Sequence, residues 1–234
     1  MDYTFDNFCG RDPSHLIEVA EFKNCRLTAP TAEAFLAMCK AAQQDGIDLA
    51  PASSFRDFDR QLTIWNEKYM GDRTVLDNHG QPVNIGQLTG IEAAYAILYW
   101  SALPGFSRHH WGTDLDVYSP ALMPENYELQ LVAAEYDKDG IFHPLTQWLD
   151  QNMEKFGFYR PFTDDARVRV GSELWHISYR SEAEKFLPFV TRKNIEDLIR
   201  SSPIAGKYCL LNMVDELYDE YIINETNKDQ HFNA

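Results

Sequence analysis

Apolar residues recur at helical spacing along much of the chain, interrupted by short extended runs and turn clusters. From Thr28, a capping residue with Pro30 in the first turn behind it, Ala34, Phe35, Met38, Ala41 and Ala42 line one face until Gly46. The spacing predicts a helix there. Ile47 to Ser53 reads as a strand leading into Ser54-Phe55-Arg56, after which Phe58, Leu62, Trp65 and Tyr69 restore helical spacing over Asp57 to Tyr69. Arg56 therefore falls at a strand-to-helix junction, where side chains and backbone N–H groups face clefts. Gly71 to Gln87, with Asp77-Asn78-His79-Gly80 and Gln81-Pro82, reads as a loop that lines or covers a site. Gly90 to Trp100 reads as helix, its apolar face formed by Ile91, Ala94, Tyr95, Leu98 and Tyr99 and its end marked by Pro104-Gly105.

Leu115 to Tyr118 reads as a short strand, Ser119 to Glu125 as a turn-rich connection and Tyr127 to Tyr136 as another strand. His143-Pro144 opens a helix through Leu145, Trp148, Leu149 and Met153 to Phe156-Gly157, and Phe158 to Arg160 and Val168 to Gly171 read as strands around a polar loop. Beyond Ser181 the pattern is helical, broken at Pro188 and Pro203, with a final helix near Gly206 to Ile223. Its expected apolar face is Tyr208, Leu211, Val214, Leu217, Tyr218 and Tyr221. Residues 1–24 lack such periodicity and read as an irregular arm, and Asn224 to Ala234 as a polar, frayed tail. Strands and helices do not alternate regularly enough for a doubly wound sheet, so the fold class is α+β. The main domain spans 25–192 and a helical C-terminal extension 193–234.

Composition narrows the setting. With 234 residues, 44% hydrophobic and 13% aromatic, the chain suits one folded domain with a ring-rich core. Thirty-six acidic against 21 basic residues give a net charge of −15, which repels nucleic acid and anionic lipid surfaces. No run approaches membrane-spanning length, and the first residues lack a basic and apolar signal segment, so the expected compartment is the cytoplasm, with periplasmic or cell-wall action as the alternative if the protein is exported by another route. Cys9, Cys25, Cys39 and Cys209 are scattered without a CxxC pair, which favours free thiols.

Two segments carry the chemistry: Ser107-Arg108-His109-His110-Trp111-Gly112-Thr113-Asp114-Leu115-Asp116 and Glu173-Leu174-Trp175-His176. Hydrolytic zinc sites hold the metal through three side chains and leave one position for water, and His109, Asp116 and His176 are a suitable set. Asp114 alternates onto the same strand face and competes with Asp116 as ligand; Asp116 is preferred. His110 is adjacent to His109 and points elsewhere if His109 faces a metal. The seven-residue separation of His109 and Asp116 requires a turn, with Gly112 as pivot. Glu173, three residues before His176, suits a general base, and Trp175 a wall that lowers the local dielectric.

Ser107-x-His109-x-x-Gly112-x-Asp114-x-Asp116 resembles the SxHxxGxAxD motif of VanY-type D-alanyl-D-alanine carboxypeptidases, and Glu173-x-Trp175-His176 resembles their ExWH motif. Ser53-Ser54-Phe55-Arg56 with Gln61 is similar to their SGYR segment and the glutamine that follows it. Ser54 stands in place of the usual glycine and Asp114 in place of the usual alanine. The resemblance implies a fold of the lysostaphin, D-Ala-D-Ala metallopeptidase and hedgehog group, with a small antiparallel sheet flanked by helices. It also implies a zinc peptidase acting on peptidoglycan stem peptides or muropeptides. His109, Asp116 and His176 would be its ligands and Glu173 its base, while Arg56 would anchor the substrate's terminal carboxylate or stabilise the developing oxyanion as a catalytic group, with Gln61, Ser107 and Trp175 as further substrate contacts. Release of terminal D-Ala by D,D- or L,D-carboxypeptidase action is the expected reaction. An endopeptidase or endolysin of the same fold and a non-catalytic zinc-containing binding module are the alternatives.

Overall fold

The computed structural model describes residues 2–163 and 169–222. Its strands are β1 (Ile17–Glu18), β2 (Arg26–Leu27), β3 (Ala50–Ser53), β4 (Val75–Leu76), β5 (Pro82–Val83), β6 (Asp114–Tyr118), β7 (Phe158–Tyr159) and β8 (His176–Tyr179). Its α-helices are α1 (Phe5–Phe8), α2 (Ala29–Gln44), α3 (Phe58–Met70), α4 (Gly90–Leu98), α5 (Ala133–Tyr136), α6 (His143–Asn152), α7 (Arg180–Ala183), α8 (Arg192–Ser201), α9 (Lys207–Leu211) and α10 (Val214–Glu216). Four strands form one antiparallel sheet in the order β3-β6-β8-β7. Pro51, which has no N–H to donate, is tolerated because β3 is an edge strand.

The main helices begin where their caps are. Thr28 accepts the Thr31 N–H at the start of α2, Asp57 accepts the Arg60 N–H at 2.7 Å at the start of α3, and Thr89 and Glu92 form a reciprocal capping box on α4. The sheet then separates two apolar clusters. Leu115, Val117 and Ile177 point from one face into a core with Phe35 and Met38 of α2 and Leu145 and Leu149 of α6. Asp114, Asp116, His176 and Ser178 alternate onto the opposite face. Beyond them lies the second cluster, in which Trp65, Ala94, Ile97, Trp111 and Phe186 pack with Ile195, Leu198, Leu210 and Leu217.

Several expectations are corrected. The stretch 2–24 is not an arm: Phe8 and Cys9 are fully buried in the second cluster, because the short helix α1 presents its ring side chains inward. Residues 71–87 contain a two-stranded hairpin, β4 with β5, whose turn is organised by Asp77 Oδ1 accepting the His79 and Gln81 N–H groups. Tyr127 to Tyr136 is not a strand. The buried Glu135 carboxylate accepts hydrogen bonds from Tyr127 Oη and from the Gln130 and Val132 N–H groups, so the backbone wraps around that side chain and ends in α5. Arg169 to Gly171 is likewise outside any strand, and Val168 lies outside the described residues, as do Ile223 and the tail. The final helix is split into α9, α10 and a π-helical turn at Leu217–Ile222, which turns Tyr208 to solvent at 84% exposure. Residues of the C-terminal segment share a core with α3 and α4. All four cysteines are free, and among the described residues no helix is long and apolar enough to cross a membrane.

Gly10 ties the N-terminal segment to the centre of the molecule. Its φ is +78°, its carbonyl accepts the Phe58 N–H at 3.0 Å, and a Cβ there would lie 2.5 Å from His110 Nδ1. Gly10→Ala is therefore expected to lower stability by about 2 kcal/mol, read as a reduced urea midpoint with unchanged slope.

Candidate metal and substrate site

Strand register builds the site. Asp116 on β6 lies directly opposite His176 on β8, and Asp114 lies opposite Ser178, so three polar side chains and a hydroxyl share one face. His109 arrives from a 3-10 turn, Arg108–His110, and Gly112 at φ +69° turns the chain back into β6. The outcome is a cluster in which donor atoms of His109, Asp116 and His176 lie within 4.8 Å of one another, all three residues buried.

Hydrogen bonds behind the histidines set which nitrogen faces that cluster. His109 Nδ1 donates to the Ser54 carbonyl at 2.8 Å, leaving the Nε2 lone pair inward, 3.2 Å from Asp116 Oδ2. His176 Nε2 donates to Asp114 Oδ1 at 2.9 Å, leaving Nδ1 inward, 3.1 Å from Asp116 Oδ1 and 3.4 Å from Glu173 Oε2. Both His176 Nδ1 and Asp116 Oδ1 are buried without a hydrogen-bond partner. Buried polar atoms are almost always satisfied. Two imidazole nitrogens and a carboxylate oxygen gathered at one point, with His176 Nδ1 and Asp116 Oδ1 left without a hydrogen-bond partner, make the donor set of a transition-metal site, and zinc fits it.

Asp114 is the residue whose position its sequence context left open. It sits behind His176 rather than beside it as a ligand, and its carboxylate also meets Arg108 Nε at 2.8 Å, Thr113 Oγ1 and Ser178 Oγ at 3.0 Å. Burial alone would raise its pKa, but the Arg108 guanidinium and the hydrogen bonds from His176 and Thr113 outweigh it and lower the value to about 2. Burial opposes charge on His176 as well, yet the Asp114, Asp116 and Glu173 carboxylates gathered around its ring hold its pKa well above the ordinary histidine value. Arg108, which the motif reading passed over, stacks over Trp111 at 4.5 Å and reaches Tyr159 Oη and Ser178 Oγ. No sequence periodicity marks it; its one signal is a basic residue six positions before an aspartate that replaces alanine.

His110 points away from the cluster. It donates from Nδ1 to the Arg56 carbonyl at 2.6 Å and accepts the Gly105 N–H at Nε2, and burial pushes its pKa down to about 3. With the Arg56 N–H bonded to the His109 carbonyl, both backbone groups of Arg56 are clamped by the His109-His110 pair. The Arg56 guanidinium donates to Gln61 Oε1 at 2.8 Å, and Gln61 Nε2 donates to the Ala102 carbonyl. Gln61 is fully buried, and its amide is engaged by Arg56 and the Ala102 carbonyl, so it braces Arg56 from behind the cavity wall. Arg56, Ser107, His109, Asp116, Glu173, Trp175 and His176 all line one cavity of about 780 Å³. Phe162, also unforeseen, closes it beside His176 with ring centroids 4.6 Å apart.

Asp114→Asn removes the charge opposite Arg108 and weakens the acceptor behind His176. The expected outcome is a loss of about 3 kcal/mol at pH 7 and roughly a 10- to 100-fold drop in zinc affinity by competition titration. Asp114 has a depressed folded pKa, so its contribution is present above the unfolded value near ~4 and is lost as pH falls through about 2. The stability gap between the two proteins, both chelator-treated, should therefore narrow from pH 4 towards pH 2.

Comparison with known proteins identifies the family and the fold. Over 118 residues the chain is 36% identical to an uncharacterized protein of Haemophilus influenzae, covering 50% of this chain and 90% of that one. Over 141 residues it is 26% identical to a D-alanyl-D-alanine carboxypeptidase of Enterococcus faecalis, covering 59% of this chain and 42% of that one. Among solved structures it shares its fold with VanYB in complex with D-alanine-D-alanine, at a TM-score of 0.51 and 21% identity, covering 74% and 82% of the two chains. It shares it also with the LdcB LD-carboxypeptidase, at 0.51 and 21%, covering 92% and 80%. The sequence profile described as VanY, D-alanyl-D-alanine carboxypeptidase, matches residues 24–182, and the chain belongs to that family.

Proposed function

We propose that this protein is a zinc-dependent carboxypeptidase that releases terminal D-Ala from peptidoglycan stem peptides. The observation that carries the reading is the pair of partnerless inward atoms, His176 Nδ1 and Asp116 Oδ1, in the cavity that Glu173 and Arg56 also line. A zinc ion there would be held by His109, Asp116 and His176, and the chemistry it supplies is polarisation of the scissile carbonyl and acidification of water.

The protein's own groups account for the remaining requirements. Arg56 offers a planar fork to a terminal carboxylate, and Gln61 behind it fixes the plane of that fork before substrate arrives. Glu173, 16% exposed at its side chain, has access to solvent water while standing 3.4 Å from His176. It takes the proton of the attacking water and passes it to the departing amine as the C–N bond breaks. Ser107 lines the cavity beside His109, while Trp175 and Phe162 exclude bulk water, which strengthens every electrostatic contact within. The reading covers removal of the last D-Ala from a pentapeptide or from a tetrapeptide, and E. faecalis carboxypeptidase and LdcB bear names of the first and second kind.

Incubation with tripeptide, tetrapeptide and pentapeptide stems, followed by mass identification of products, is expected to show D-Ala release from one or both longer stems. A chelator should abolish release, and Glu173→Ala should lower kcat roughly a thousandfold while zinc content stays unchanged. No release by the zinc-loaded protein would overturn the carboxypeptidase reading in favour of a binding module, and internal cleavage would reassign it as an endopeptidase.

A further inference from the structure

The cavity holds a second cation that the site described above does not use. Lys68 lies on the face of α3 that also carries Gln61 and Ile64, at spacings of seven and four residues, and lines the same cavity as Arg56 and Glu173. Its Nζ donates to Ser101 Oγ at 2.6 Å, and among the described residues it forms no ion pair. Ser101 adjoins Ala102, whose carbonyl holds Gln61 and, through it, Arg56. The two cations are thus braced from neighbouring residues of one turn. Burial first, and then the like charges of Arg73 and Arg56, depress the Lys68 pKa to about 8.

Arg56 is in a similar state, with no carboxylate within ion-pair distance among the described residues. Arg73, the third cation on this wall, is paired with Glu67 at 3.5 Å. Glu173 acts on both cations and Asp116 on Arg56 from across the cavity, but neither cation is in direct contact with a carboxylate among the described residues, which is unusual for partly buried cations in a chain with 36 acidic side chains. Desolvation has been borne by the protein in advance, and an incoming anion supplies the missing partner.

We propose that Lys68 is a carboxylate-binding, specificity-determining residue, whose ammonium beside Ser101 docks an anionic group of the peptide. That group is either the terminal carboxylate, shared with Arg56, or a carboxylate borne by a neighbouring residue of the stem. The inference rests on the peptidase reading for its substrate class and on the Lys68 environment for its chemistry. It makes the two-cation wall, and not Arg56 alone, the element that selects which peptides enter.

Lys68→Met and Lys68→Arg can be compared with the native protein on three stem peptides: the free acid, its C-terminal carboxamide, and an analogue amidated at the side-chain carboxylate of the third residue. For the free acid, Lys68→Met is expected to raise KM roughly tenfold with kcat changed less than about threefold, and Lys68→Arg to recover most of the loss. The penalty should vanish for the analogue that lacks the docked carboxylate, which identifies its source. An unchanged KM, or a penalty of equal size on all three peptides, would overturn the assignment. Calorimetric binding of the free acid in a Glu173→Ala background reads Lys68 without turnover, so its result is separate from any failure of the native protein to release D-Ala. Zinc content and the urea midpoint report whether the Lys68 variants are folded.

Discussion

The antiparallel pairing of β6 with β8, in the register that sets Asp116 opposite His176, is the constraint on which the site depends. Side chains alternate across a sheet with a period of two, so a slip of one residue would send Asp116 and Asp114 into the apolar core and Leu115 into the cavity. Leu115, Val117 and Ile177 prevent this, since their burial against α2 and α6 specifies the register from the far face. The packing that holds the sheet together and the geometry that gathers the candidate ligands are therefore one arrangement viewed from two sides.

Register brings the histidines close, but hydrogen bonding decides what they offer. His109 is backed by a main-chain carbonyl and His176 by a carboxylate, and each partner commits one ring nitrogen and turns the other towards the cluster. The carboxylate choice carries a burden that alanine at this position would not. A fully buried anion needs a cation, and Arg108 supplies it from six residues upstream, flattened over Trp111 and bonded to Tyr159 and Ser178. Asp114, Arg108, Tyr159 and Ser178 thus form one dependent unit in which the substitution of a single member leaves a charge or a polar group without its partner.

Much of this was legible in the chain. Thr28, Asp57 and Thr89 announce their helices because capping is a local effect, and the two motifs contain the three residues whose donor atoms the fold gathers, because a metal site demands particular residue types. What escaped was set by distant contacts. Tyr127 to Tyr136 alternates like a strand, but the buried Glu135 recruits its backbone N–H groups, and no local pattern reveals that a carboxylate will be buried. That the Gln61 amide bridges Arg56 and the Ala102 carbonyl depends on a segment 41 residues away, which no local pattern reveals. Phe8 and Cys9 sit in a stretch too short for periodicity, and only the cluster they enter gives them a role.

The N-terminal segment and the C-terminal helices also explain why the substrate wall stays in place. The sheet and its α2–α6 core position the ligands, whereas α3, which carries Gln61 and Lys68 and follows directly on Arg56, packs in the other cluster with α4, Trp111, Phe186 and α8. Arg56 stands at the seam. Its carbonyl is held by His110, His110 is pressed by Gly10, and the Gly10 carbonyl holds the first residue of α3. His110, kept neutral by burial, is suited to this because it donates on one side and accepts from Gly105 on the other. One histidine of the adjacent pair faces the candidate metal position, and the other fixes the distance between that position and the Arg56 guanidinium on the cavity wall.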